Sequence, residues 1–130
     1  MNIDKKRVLI VDDDSKGRRV FEMQLASMGF ETVLANNGEE AMEMLAEDSY
    51  FDLIITDVMM PYLTGFDFAK KLKEYKETKE IPVIATSAFH DWEKSIADRE
   101  LEVDGFIPKP VDKNVLRMEI LRVIGDQAAG

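Results

Sequence analysis

The stretch VLIVDDD, residues 8–14, joins a short and wholly apolar run to three consecutive aspartates. An unbroken run of Val, Leu and Ile predicts a strand that is buried on both faces. Similar short apolar runs occur at 32–35, 53–55, 82–85 and 106–107. Segments with helical spacing of apolar residues separate these runs, so we predict parallel strands joined by crossover helices. The predicted fold class is α/β, with one five-stranded sheet covered by helices on both faces.

The predicted helices are bounded by capping and turn residues. Ser15 is the predicted cap of the first helix, Asp112 caps the last, and Gly29 and Gly125 end these two helices. A third helix is predicted to begin near Phe66 and to continue through the charged residues 70–80, and a fourth covers 90–102. Pro82 is placed at the first position of the fourth strand, where no ladder donor is lost. The apolar stripe of the last helix is predicted to consist of Val115, Leu116, Ile120, Val123 and Ile124.

The composition fits one domain rather than two. The chain has 130 residues, of which 45% are hydrophobic and 33% are charged, as in a soluble globular protein of ordinary size. We place this domain at residues 1–125 and expect residues 126–130 to form a frayed tail. The apolar run at 8–11, which follows the basic first residues, is interrupted by three aspartates. It is too short to be a secretory signal or a membrane span. We therefore expect a cytoplasmic protein.

Charge and residue counts exclude several classes of function. Seventeen basic residues against 26 acidic residues give a formal net charge of −9, which argues against direct binding to nucleic acid or to an anionic membrane. The chain has no cysteine and one histidine. A disulfide framework, a thiolate metal site, a cysteine nucleophile and a three-histidine zinc site are therefore excluded.

Polar and charged residues follow four of the five predicted strands. These are residues 12–14, Asp57, residues 86–87 and Lys109. In an open parallel sheet the carboxyl ends of the strands meet at one edge, where functional groups collect. Two carboxylates about 5 Å apart repel each other by about 3 kcal/mol at an effective dielectric constant of about 20. The cluster therefore needs a cation, and hard oxygen ligands favour Mg²⁺, Mn²⁺ or Ca²⁺.

The same set of side chains suits a phosphoryl group. Mg²⁺ commonly binds one or two carboxylates together with a phosphate oxygen, a hydroxyl can donate a hydrogen bond to that phosphate, and an ammonium neutralises its charge. A carboxylate can itself be the nucleophile that accepts the phosphoryl group. The residues therefore indicate a Mg²⁺-assisted phosphoryl site with one aspartate as acceptor. The alternative interpretation is that the aspartates at the strand ends only cap helices and form turns.

Four motifs in this order and spacing resemble the signature of response-regulator receiver domains. They are VDD at 11–13, DVMMP at 57–61 followed by Gly65, SA at 87–88 and KP at 109–110. The resemblance extends from residue 7 to about residue 124. It implies a flavodoxin-like (βα)5 fold with strand order 2-1-3-4-5. It also implies transfer of a phosphoryl group from a phosphohistidine on a sensor histidine kinase or a phosphotransfer protein.

The resemblance also implies which residues accept the phosphoryl group and hold the metal. Asp57 matches the phosphoacceptor, and Asp12 and Asp13 match the acidic pair that binds Mg²⁺. The hard oxygen ligands also suit Mn²⁺. Asp57 completes this carboxylate set. Met59 matches the position that offers the metal a backbone carbonyl. Asp14 is an additional carboxylate, which we interpret as a solvated charge at the entry of the first helix.

Four further residues receive roles from the resemblance. Ser87 matches the switch hydroxyl, Lys109 the ammonium that pairs with the phosphate, and Phe106 the aromatic residue whose rotamer follows the hydroxyl. Pro110 follows the lysine where the family has a cis peptide bond. Thr86 stands where the family commonly has an apolar residue, and the sequence leaves open whether it shares the switch role of Ser87.

The function implied is a phosphorylation-activated signalling switch that is not an enzyme beyond weak self-catalysed phosphorylation and dephosphorylation. Phosphorylation is expected to change a partner-binding surface on the predicted fourth helix, the last strand and the last helix. That surface serves a downstream protein target or output domain, or phosphorylation-dependent homodimerisation. Two alternatives remain open from the residues, namely a haloacid-dehalogenase-like phosphatase with Asp12 as nucleophile, and a docking or dimerisation module that is never phosphorylated.

Overall fold

The computed structural model describes residues 6–58, 65–87 and 103–125. Five strands lie in this part of the chain: β1 Arg7–Val11, β2 Glu31–Ala35, β3 Leu53–Asp57, β4 Val83–Ser87 and β5 Gly105–Pro108. The described helices are α1 Ser15–Ser27, α2 Gly38–Glu47, α3 Gly65–Lys73 and α4 Lys113–Ile124. Helix α4 is the helix predicted as the last one. The helix predicted over 90–102 and the tail predicted over 126–130 lie outside the described residues.

The strands form one parallel sheet in the order β2-β1-β3-β4-β5. All four neighbouring pairs of strands are parallel. The α/β class, the five-stranded parallel sheet and the strand order predicted from the sequence are therefore confirmed. The register places Val11 beside Thr56, and it places Asp57 beside Thr86, which in turn lies beside Ile107.

Two apolar clusters cover the two faces of the sheet, because neighbouring residues of a strand point to opposite faces. Leu9 and Ile54 pack in one cluster with the buried residues of α2 and α3. Ile10 and Ile55 pack in the other, with the buried residues of α1 and α4. The sheet is thus buried on both sides, as the continuous apolar runs predicted.

The predicted helix boundaries are right in part. Asp112 caps α4 by accepting hydrogen bonds from the backbone N–H groups of Asn114 and Val115. The predicted cap of α1, Ser15, is wrong: Asp14 is the cap, since its side chain accepts from the Lys16 N–H at 3.2 Å. Aspartate and serine are nearly equal as caps, so the sequence alone does not separate two adjacent candidates.

Helix α3 is shorter than predicted, because it ends at Lys73 and residues 74–80 form turns. The buried Thr78 hydroxyl donates to the Leu72 carbonyl at the helix end, with a distance of 2.6 Å between the oxygens. The charged residues after Leu72 offer no apolar stripe that would bury a further turn. Strand β4 begins at Val83, one residue after the predicted start, and the carbonyl of Pro82 accepts from the Ile54 N–H.

Helix α4 faces the sheet through fewer residues than predicted. Leu116 and Ile120 are buried, but Val115 is 43% exposed and does not belong to the buried stripe. Consecutive helix positions lie about 100° apart around the axis, so the residue beside Leu116 points away from the sheet. Positive φ angles of 96° at Gly29 and 62° at Gly125 agree with the predicted ends of the first and last helices.

The side chain of Glu119 covers the outer edge of β5. It accepts a hydrogen bond of 2.8 Å from the Phe106 N–H and is held in turn by Arg122. A Cβ atom at Gly105 would lie 2.6 Å from the Glu119 Oε2 atom, so a larger residue here would displace the end of the Glu119 side chain. Glu119 thus binds a backbone N–H of the edge strand. Without this contact, that N–H could form a hydrogen bond with another chain.

None of the helices in the described ranges combines the length and the apolar character that a bilayer-spanning helix requires.

Candidate functional site

The carboxyl ends of β1, β3 and β5 bring Asp12, Asp57 and Lys109 into contact. The Lys109 Nζ atom lies 2.9 Å from Asp12 Oδ2 and 2.8 Å from Asp57 Oδ2. These three residues are far apart in the sequence, and the parallel sheet alone places them at one edge. The convergence predicted from the strand ends is therefore observed for two aspartates and the lysine.

The site is mostly buried but remains open at one side. Asp12 is 1% exposed and Asp57 is 7% exposed, whereas the Lys109 side chain is 22% exposed. Asp13 is exposed at the mouth of the site. Within this group, three carboxyl groups face one ammonium, so the formal charge is −2. A buried or half-buried excess of negative charge is costly unless a further cation compensates for it.

The pKa of Lys109 is raised above the ordinary value of lysine. Burial alone would lower this pKa, but the hydrogen bonds and negative charges of Asp57 and Asp12 together outweigh burial. A raised pKa means that the ammonium form is more stable in the folded state than in the unfolded chain. This contribution to stability is complete below the ordinary lysine pKa and is lost only as the pH rises through the raised one. Lys109 is therefore a cation throughout the neutral range.

Three carboxylates are close enough together to hold a metal ion. Asp12, Asp13 and Asp57 each offer an oxygen, and these oxygens lie within 4.8 Å of one another. The donors are all hard oxygens and two of the three residues are buried, which is the environment that suits Mg²⁺ or Mn²⁺. The residues thus fit a divalent cation. Met59, predicted to add a backbone carbonyl, lies outside the described residues.

Asp12 is bound by one residue and closely approached by another, neither of which was predicted from the sequence. The Arg18 guanidinium donates to the Asp12 carbonyl at 2.6 Å, and a Cβ atom at Gly17 would lie 2.9 Å from Asp12 Oδ2. The exposed Asp14 donates its N–H to Asp12 Oδ1 at 2.9 Å and caps α1, in line with its interpretation as a charge at the helix entry. The sequence feature that could have identified Gly17 and Arg18 is their position in the first turn of a helix that begins directly after the aspartates.

The two hydroxyl residues of β4 lie at the same edge but on opposite faces of the strand. Thr86 and Ser87 are both buried, and adjacent residues of a strand point to opposite faces. The Ser87 carbonyl accepts from the Lys109 N–H at 2.8 Å, which ties the end of β4 to the lysine. The side chains of Thr86 and Ser87 therefore do not occupy equivalent positions.

In the sequence, Phe106 precedes Lys109 and Pro110 directly follows it. Phe106 is half-buried in β5, with its N–H bound to Glu119. The peptide bond between Lys109 and Pro110 is cis.

The sequence of the chain also matches the model of a known protein family. The model of the response regulator receiver domain matches residues 8–121, which is most of the chain. The chain belongs to the response regulator receiver domain family. The receiver domain is a phosphorylation-dependent signalling switch, and the functional class predicted from the four motifs is thereby confirmed. This assignment favours the switch over the phosphatase alternative.

Several proteins of known sequence or structure resemble this receiver domain. A probable transcriptional regulator, ycf27 of Cyanophora paradoxa, is 37% identical over 120 residues, which cover 92% of this chain and 48% of that protein. The chain thus spans about half the length of this relative. The chemotaxis protein CheY4 of Vibrio cholerae is 30% identical with a TM-score of 0.83, and the alignment covers 92% of this chain and 98% of that one.

A structure that contains a metal is also similar. The receiver domain of the sensor histidine kinase PA1611 from Pseudomonas aeruginosa is 26% identical with a TM-score of 0.79, over 93% of this chain and 98% of that one. That protein has a magnesium ion coordinated in its active-site cleft.

Proposed function

We propose that this receiver domain accepts a phosphoryl group on Asp57 from a phosphohistidine. The observation that carries the proposal is the double contact of Lys109 with Asp12 and Asp57. In the transfer, the bond between phosphorus and the donor nitrogen breaks as a bond forms between phosphorus and an Asp57 carboxylate oxygen. The donor histidine leaves with the electron pair of the broken bond.

Lys109 has two tasks in this proposal. Before transfer, its ammonium offsets part of the negative charge that would repel an anionic donor. After transfer, the phosphoryl oxygens are strong acceptors within reach of the same ammonium, and a charge-assisted hydrogen bond forms with them. The raised pKa of Lys109 keeps the side chain charged for the first of these tasks.

Asp13, Asp12 and Asp57 are proposed to hold Mg²⁺, with Asp13 as a direct ligand and Asp12 acting through water. When bound, Mg²⁺ neutralises the excess negative charge of the cluster and of the incoming phosphoryl group. Mn²⁺ is expected to substitute, because it also takes hard oxygen ligands. The backbone carbonyl of Met59 is proposed as a further ligand.

The switch is proposed to act through Ser87 and Phe106. Phosphorylation adds about −1.5 to −2 charge units and three strong acceptors at Asp57. The Ser87 hydroxyl then moves toward these acceptors, and the ring of Phe106 fills the space that Ser87 vacates. The movement is proposed to bias a surface formed by β5, α4 and the helix predicted over 90–102 between two states.

The partners follow from this mechanism. A sensor histidine kinase or a phosphotransfer protein supplies the phosphoryl group, and a downstream protein or an output domain responds to it, in the cytoplasm. The receiver domain contributes weak self-catalysis of its own phosphorylation and dephosphorylation. Homodimerisation after phosphorylation is a further proposed response.

Uptake from acetyl phosphate with and without Mg²⁺ tests this proposal. With Mg²⁺ present, the intact mass is expected to increase by one phosphoryl group as acetate leaves. Excess chelator, or Asp13→Asn, should lower uptake at least about tenfold, because the negative charge is then not neutralised. Glu43→Gln, an exposed acid on α2, is the control for loss of one charge. Uptake that is equally fast in chelator would contradict the metal assignment.

A further inference from the structure

The hydroxyl of Thr86 is buried without a visible partner. Thr86 is 0% exposed, and its Oγ1 atom has no hydrogen-bond partner in the part of the chain that the structure describes. Buried polar side chains nearly always have a partner, and an unpaired one destabilises the folded state. Such an exception at a strand end calls for a functional explanation.

The register places Thr86 in the same row as the proposed phosphoacceptor. Asp57 lies directly beside Thr86, which lies beside Ile107. Neighbouring strands are about 4.8 Å apart, and paired residues of parallel strands point to the same face. The side chains of Asp57 and Thr86 therefore project from adjacent positions on the same face of the sheet.

The packing of the sheet supports the same placement. Ile55, Ile84 and Ile107 belong to one apolar cluster, on the face covered by α1 and α4. Asp57 and Thr86 each stand two residues after one of these isoleucines in the same strand, so the alternation of side chains assigns them to that face. Lys109, beyond the end of β5, contacts Asp57. Ser87 belongs to the opposite alternation. Thr86 is thus placed beside Asp57 independently of the role proposed for Ser87.

We propose that Thr86 is a positioning residue for phosphorylated Asp57. This inference rests on the proposed function. Once Asp57 is phosphorylated, one of its oxygens bridges to phosphorus and the other is the carbonyl oxygen of an acyl phosphate. The Thr86 hydroxyl donates a hydrogen bond to that carbonyl oxygen and holds the group in one orientation. The hydroxyl has no partner among the described residues of the unphosphorylated structure, and in this proposal it gains one when phosphorylation reorients the Asp57 side chain.

This role predicts opposite effects on stability and on phosphorylation. Thr86→Val removes the unpaired hydroxyl and is expected to raise the Tm of the unphosphorylated protein by about 3–5 °C. The same variant should lower the half-life of the phosphoryl group, or its level at steady state with acetyl phosphate and Mg²⁺, by about five- to tenfold. Thr86→Ser retains the hydroxyl. In this variant the half-life of the phosphoryl group and its level at steady state are both expected to lie within about twofold of the wild type.

Thr78→Val is the matched control, because the Thr78 hydroxyl is also buried but has a partner in the Leu72 carbonyl. It should lower the Tm and leave the phosphoryl half-life unchanged. If Thr86→Val matches the wild type in level and half-life, the inference is overturned while the proposed function stands. If the wild type takes up no phosphoryl group, both are overturned.

Discussion

Replacement of Asp57 by Asn is expected to abolish phosphoryl uptake from acetyl phosphate in the presence of Mg²⁺. The amide of asparagine is nearly the same size as the carboxylate but is not a nucleophile at neutral pH. Lys109 retains its contact with Asp12 in this variant, so the fold should persist, with a change in unfolding free energy of less than about 1 kcal/mol. Intact-mass spectrometry measures the uptake, and urea unfolding measures the stability.

Asp14→Asn is the matched control for the Asp57 variant. It removes the same charge next to the site, and asparagine caps a helix about as well as aspartate, so α1 should be unaffected. Uptake in this control is expected to stay within about twofold of the wild type. Full uptake in Asp57→Asn would show that another residue is the acceptor.

Replacement of Lys109 by Met is expected to have the largest effect on stability. The variant leaves Asp12 and Asp57 buried without the ammonium that now contacts both. Breaking a buried ion pair on one side costs about 3–5 kcal/mol, and the open side of this site reduces the expected loss to about 2–3 kcal/mol. Saturating Mg²⁺ should recover more stability in this variant than in the wild type, because the cation neutralises the same carboxylates.

Lys70→Met, an exposed lysine on α3, controls for the loss of one positive charge and is expected to change stability by less than about 0.5 kcal/mol. Combining Lys109→Met with Asp57→Asn should cost less than the sum of the two single changes, since one of the two carboxylates left without the ammonium is gone. Urea unfolding curves measure all four variants. If Lys109→Met is as stable as Lys70→Met, the ion pairs do not contribute to stability as the contacts suggest.

The sequence was sufficient for the architecture because the strands are apolar on both faces. Runs such as residues 8–11 and 53–55 have no polar face, so only a sheet covered by helices on both sides can bury them. The alternation of these runs with helical stripes left few topologies to consider. The strand order followed from the resemblance to a known family rather than from the residues themselves.

Helix ends and single exposed positions were predicted less well. Asp14 rather than Ser15 caps α1, because the cap preferences of these two residue types differ by too little to decide a boundary. Helix α3 ends at Lys73, because the charged residues that follow have no apolar stripe to bury. Val115 was assigned to the core from its residue type, but its position on the helix turns it toward solvent. These errors concern local geometry and do not change the site.

The sequence predicted which residues lie at the strand ends and meet in the candidate site. It did not predict which side-chain atoms contact one another there. Residue type and the parallel sheet predicted that Asp12, Asp57 and Lys109 would meet. That one ammonium contacts both buried carboxylates depends on side-chain geometry that no local pattern encodes. The same holds for the unpaired hydroxyl of Thr86, which is recognisable only after the register of β3, β4 and β5 is known.

The most direct test of the central claim is to locate the phosphoryl group in the wild-type protein. After reaction with acetyl phosphate and Mg²⁺, borohydride reduces an aspartyl phosphate to homoserine, and tandem mass spectrometry of the peptides identifies the modified position. The proposed function predicts homoserine at residue 57 alone. Homoserine at residue 12 instead would contradict it and favour the phosphatase-like chemistry of Asp12.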